Sequence, residues 1–177
     1  SKISKQKLRC AKIISKSASK IGGKDIDQWI VDYFISDNYD NRNLNIAEKI
    51  KCNLSKSDIK TDQRYIISLY VEENKKKEFF ISKKILEDIL ISKNLLKLLN
   101  SLLQTLMNEA RGKDCKMNEI WSIILVGGGT QIPLIRNWIS YKFPDINIKY
   151  PPPIESIALG ALKLTPGVEI KDVLNKS

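Results

Sequence analysis

Three consecutive glycines, Gly127, Gly128 and Gly129, stand between an apolar run of Ile123, Ile124, Leu125 and Val126 and a segment in which Thr130 precedes Pro133. Glycines at the C-terminal end of a strand clear side chains from the approach to the backbone, so a flat ring or a phosphate can lie against the chain there. The run is apolar at every position, as expected of a strand covered by helices on both faces. Thr130 is placed to cap the helix that Pro133 opens. No Lys-Ser/Thr pair follows, so this is not a Walker A loop, and the third glycine of G-x-G-x-x-G is missing. Taken alone, the motif fits a tight strand-to-helix turn as well as it fits a ligand floor.

Other candidate chemistry is sparse. The chain has no histidine, which removes Ser-His and Cys-His catalytic arrangements and the ordinary zinc sites. Cys10, Cys52 and Cys115 show no C-x-x-C spacing and are expected to be reduced and structural. No catalytic residue and no metal ligand is assigned. Glu48 and Lys51, three residues apart on an expected helix, suit a surface ion pair. Glu72 and Glu73 fall at an expected hairpin turn without catalytic pairing, and Trp29, Trp121 and Trp138 read as core or seam residues.

At 177 residues the chain is long enough to bury a core, and 42% hydrophobic with 28% charged residues is ordinary globular composition. The net charge of +10 would suit nucleic acid or an anionic surface. The lysines, however, are spread along the whole chain rather than gathered on a stripe, which argues against a nucleic-acid partner. No stretch approaches about 18 consecutive apolar residues, and the start lacks a signal-peptide core, so no membrane partner and a cytoplasmic setting are expected.

The elements that must position the glycine turn are legible in outline. Leu8 to Ser15 has strand character, and Ile26, Trp29, Ile30, Tyr33 and Phe34 recur at helical spacing with Asp25 as the cap. A second helix is expected over 43–55. Residues 64–82 alternate as a β-hairpin whose tip is the lysine run "NKKKE". Between Ser82 as N-cap and Gly112 as stop, the leucine stripe is long enough for two consecutive core helices. "INIKY" is a further strand, and "IESIALGALKL" a final helix.

Four stretches in order carry a resemblance. "ILVGGGTQIPLI" resembles the adenosine-side motif of the actin-like ATPase superfamily, in the version used by the seventy-kilodalton heat-shock chaperones of DnaK type. "IGGKDIDQWIVDYF" is similar to the segment that opens the outer subdomain of that family's second lobe, "AEKIKCNLS" to its adenosine-contacting helix, and "PPPIESIALGAL" to the segment after the last strand. The match runs from about Cys10 to Leu174.

The resemblance implies an α/β fold: an actin-like ATPase lobe, a mixed sheet flanked by helices, with an inserted outer subdomain of helices plus a β-hairpin. The inner subdomain would be 1–21 and 91–165, the outer one 22–90, and 166–177 the start of an interdomain linker. It further implies that Gly23 and Glu48 lie near a ribose, Lys51 near ribose or phosphates, and Ser55 at the adenine edge, while Gly128, Gly129 and Thr130 bring backbone close to the nucleoside. The family's two adenine-stacking arginines are replaced by Cys52 and Gln131, and its aspartate after the proline by Ile154. Neither Cys nor Gln can stack as a planar cation. Two lost stacks at about 0.5 to 2 kcal/mol each weaken binding about five-fold to several hundred-fold. Cys52 also suits a small buried hydrophobe.

The implied ligand is ATP or ADP in an intact parent protein, bound weakly or not at all by this chain. Mg²⁺ would be held only with a first lobe, so the chain by itself is not expected to hydrolyse ATP. Implied partners are that first lobe, a substrate-binding domain, and a nucleotide-exchange factor gripping 22–90. A nucleotide-free interaction scaffold is the competing reading.

Overall fold

The computed structural model describes residues 13–36 and 39–151. The strand expected from Leu8, the final helix with Ile154, and the 166–177 linker fall wholly or mainly outside them. Residues 13–15, the described end of that first strand, take no regular structure.

Helix α1 spans Gly23–Phe34 and α2 Asn41–Leu54. Asp25 does not stand before α1 as its cap. It sits in the first turn and its carboxylate accepts from Gly22 N at 2.7 Å, so the helix starts three residues earlier than expected. Asp40 caps α2 by accepting from Arg42 N at 2.8 Å.

Strands β1 (Tyr65–Glu72) and β2 (Lys75–Ile81) form an antiparallel hairpin. Its tip is Glu73 and Asn74, whereas Lys75, Lys76 and Lys77 lie within β2. Among the described residues that strand has a single neighbour, and exposed lysines along such an edge oppose unwanted pairing. Lys75 and Glu72 pair across the turn at 3.2 Å. The wholly buried Asn43 joins α2 to β1 by donating to Tyr70 O and accepting from Tyr70 N, both at 2.8 Å.

The leucine stripe is two helices, as expected. Ser82 caps α3 (Lys83–Ser92) by accepting from Ile85 N at 3.3 Å, and Asn94, left-handed at φ 57, breaks the chain before α4 (Leu95–Arg111). Strand β3 (Ser122–Ile124) pairs in parallel with β4 (Asn147–Lys149), and α5 (Pro133–Lys142) crosses between them. The strand ahead of the glycines is therefore shorter than expected. Only a bond from Leu125 N to Lys149 O extends it, and Ile124 and Val126 are 60% and 53% exposed among the described residues. Trp121, at 89% exposed, is not a core residue, whereas Trp29 and Trp138 pack against the core.

One core holds these pieces together. Ile30, Leu54, Leu69, Ile81 and Leu90 are fully buried and contiguous with Ile132, Ile135 and Phe143 from the segment around α5. Each large aliphatic side chain so buried contributes about 1.5 to 3 kcal/mol. The C-terminal end of α2 thus belongs to the same packed unit as the glycine turn.

Candidate functional site

Two clusters meet along the C-terminal half of α2. The first joins α2 to the start of α1. Lys51 Nζ lies 2.6 Å from Asp27 Oδ1 and donates to Gly23 O at 3.1 Å, with side chains only 9% and 6% exposed for Lys51 and Asp27. Burial raises the Asp27 carboxyl above its usual value, opposed by the hydrogen bond and charge of Lys51 and reinforced by the charge of Glu48. Glu48 is therefore within electrostatic reach of this pair, yet it is exposed. The ion pair of Lys51 is with Asp27, a partner that the i, i+3 spacing to Glu48 did not suggest.

The second cluster is a cleft of about 410 Å³. Cys52, Ser55, Lys56, Ser57 and Asp58, from the end of α2 and the loop after it, line one side; Gln131 and Arg136 line the other. The volume falls within the range of small-molecule sites. Cys52 is an exposed thiol, which removes the buried-hydrophobe reading, and neither Cys52 nor Cys115 is in a disulfide. Ser55 Oγ donates to Lys51 O at 2.8 Å, which fixes the side chain in place while its oxygen can still accept. Three residues expected at one ligand, Cys52, Ser55 and Gln131, therefore come together.

Beside Gln131 runs a 3-10 turn, Gly128–Gln131. Gly127 enters it at φ 97 and ψ 155, a conformation nearly confined to glycine. Gly128 and Gly129 need no such freedom, and a Cβ on either would meet no described atom within 4 Å. Packing among the described residues therefore gives no reason for a bare backbone at those two positions. Thr130 does not cap α5. Its Oγ1 donates to Gly127 O at 2.7 Å, closing the turn on itself, and α5 starts with Pro133 without a side-chain cap.

Arg136 escaped the sequence reading. Its Nε donates to Thr130 O at 3.2 Å, its Nη2 donates to Gln131 Oε1, and its guanidinium carbon lies 4.6 Å from the centre of the Tyr150 ring. A signal was available. The N-terminal turn of a helix disfavours a cation, so an arginine there asks for a reason outside helix stability.

The base of the cleft is tied down by a second buried lysine. Lys83 Nζ donates to Lys56 O at 2.6 Å and Ile59 O at 2.7 Å, fastening the loop after α2 to the start of α3. Among the described residues no group of three or more Cys, Asp or Glu is arranged to hold a metal ion, and no helix is long and apolar enough to cross a membrane.

Comparison with known proteins identifies the family. The family model described as Hsp70 protein matches residues 14–173. A chaperone protein DnaK of Phaeodactylum tricornutum is 25% identical over an alignment covering 88% of this chain and 27% of that relative. The chain thus spans about a quarter of the relative's length. With most of its residues inside the family match, the chain belongs to the Hsp70 family.

Proposed function

We propose that the chain is the second lobe of the nucleotide-binding domain of a divergent Hsp70-type chaperone, and that it supplies the platform for the adenosine part of a nucleotide. The convergence of Cys52, Ser55 and Gln131 on one cleft beside the bare backbone of Gly128 and Gly129 carries this reading. A polar cleft of about 410 Å³ fits a nucleoside in size and chemistry. Triphosphate is a different matter. Lys51, which the family pattern puts near ribose or phosphates, has its ammonium on Asp27 and Gly23 O.

The lobe binds nucleoside weakly, with a dissociation constant in the millimolar range, corresponding to about 4 kcal/mol. Hydrolysis requires the Mg²⁺ and phosphate clamps of a first lobe, so this chain turns over no ATP by itself. In a complete chaperone, ligand contacts made from both lobes would bias their closure and, through it, the linker to a substrate-binding domain. Residues 22–90 would present the surface for an exchange factor, and the setting is the cytoplasm.

Calorimetry with adenosine and ADP tests the binding claim. Millimolar binding that Cys52→Arg tightens by about two-fold or more supports it; micromolar binding by the unaltered chain, or no gain from Cys52→Arg, contradicts it. The interaction-scaffold reading rests on a separate observation. Ile66 and Phe80 face each other across the hairpin and are 57% and 59% exposed, an apolar pair on the same hairpin as the lysine run.

A further inference from the structure

Arg136 lines the cleft but has no part in the nucleoside platform proposed so far. It is held on three sides before any ligand arrives: by Thr130 O, by Gln131 Oε1 and by the face of Tyr150. An arginine recruited from solvent loses rotamer entropy on ordering, whereas one already fixed does not, and such preorganisation favours binding. The guanidinium carbon of Arg136 lies 4.6 Å from the centre of the Tyr150 ring, and among the described residues its hydrogen bonds use Nε and Nη2, which leaves Nη1 and the side that lines the cleft to present. From this geometry we propose that Arg136 is the flat cationic wall of the cleft, against which the base of a nucleoside stacks, with Gln131 as the positioning residue that aims it. The proposal rests on the nucleoside reading of the cleft and adds to it the residue that recognises the ring.

The type of residue fits the task. A guanidinium over an aromatic face attracts it electrostatically and by stacking, and lysine, a compact point charge, cannot offer the same plane. Gln131 cannot stack as a cation, but its carbonyl oxygen can hold one that does. The base would thus meet a cation contributed from the start of α5. Lys56 is the other cation lining the cleft, so a bare anion is the competing ligand, and the test must separate the two.

The probes are adenosine, which has a ring but no charge, and inorganic phosphate, which has charge but no ring. Each is titrated into the ¹⁵N-labelled chain while the Arg136 Nε–Hε signal and the rate of Cys52 alkylation are followed. The proposal expects adenosine to slow Cys52 alkylation and to move Hε upfield by its ring current, with phosphate doing neither. Arg136→Lys, which keeps the charge and loses the plane, should weaken adenosine about two- to thirty-fold, and Gln131→Leu should weaken it less. Adenosine protecting Cys52 while Hε stays in place, or binding Arg136→Lys as tightly, overturns the role of Arg136 and leaves the nucleoside reading standing. Phosphate alone moving Hε makes this an anion site and overturns the proposal. Adenosine with no effect on Cys52 removes both readings. The Hε shift is measured on the unaltered protein, so the test holds even where a variant fails to fold.

Discussion

Replacing Lys51 with Met gives a sharp test of the claim that this lysine ties α1 to α2. With Lys51 and Asp27 only 9% and 6% exposed and 2.6 Å apart, the pair belongs to the buried class, where removing one partner costs about 3 to 5 kcal/mol. An exposed pair would cost about 1 kcal/mol or less. At about 2 to 4 °C per kcal/mol for a chain of this size, Lys51→Met should melt about 6 to 20 °C lower. Asp27→Leu combined with Lys51→Met should recover most of that loss, since no lone charge is left buried. Urea unfolding followed by tryptophan fluorescence gives the four corners of the cycle. The pH dependence adds a sign. The folded carboxyl of Asp27 lies above its ordinary 3.8, so protons bind the folded state more tightly than the unfolded one. Its contribution to stability is full below that value and declines as pH rises through the folded pKa. Relative to Asp27→Asn, the unaltered chain should therefore lose stability over this window and level off above it. A Lys51→Met cost under about 1 kcal/mol, or a difference curve of opposite slope, would refute the buried-pair reasoning.

Gly127→Ala should cost about 1 to 3 kcal/mol, because φ 97 with ψ 155 is strained for any L side chain. Gly129→Ala, with open space at its Cβ, should leave the melting temperature nearly unchanged and weaken adenosine, as read by the same calorimetry. Lys83→Met strands the carbonyls of Lys56 and Ile59. It should lower stability by about 1 to 3 kcal/mol or more and also loosen the loop carrying Lys56, Ser57 and Asp58, seen as faster amide exchange over 56–59.

What the sequence made legible is what local rules control. Helical spacing located α1 and α2, and Ser82 with the long leucine stripe located α3 and α4. The glycine turn could be read as strand, turn and helix because a run of glycines before a proline has few other uses. The misread details were decided by competition between neighbours. Asp25 reaches back to Gly22 from inside the first turn, Thr130 spends its hydroxyl on Gly127 rather than on α5, and the lysines continue β2 past a tip of Glu73 and Asn74. Contacts between residues distant in sequence left no pattern to read. Nothing in the spacing announces that Lys51 pairs with Asp27, that Lys83 holds Lys56 and Ile59, or that Asn43 grips Tyr70. Arg136 is intermediate: its helix-start position was visible, but its link to Gln131 and Tyr150 needed the fold.

The central claim, that the cleft between the end of α2 and the glycine turn accepts a nucleoside, is tested most directly by an amide chemical-shift titration with adenosine. A nucleoside seated there predicts shifts confined to residues 52–58 and 127–136, saturating in the millimolar range. No saturable shift at those amides, or shifts gathered instead on the lysines of β2, would contradict it.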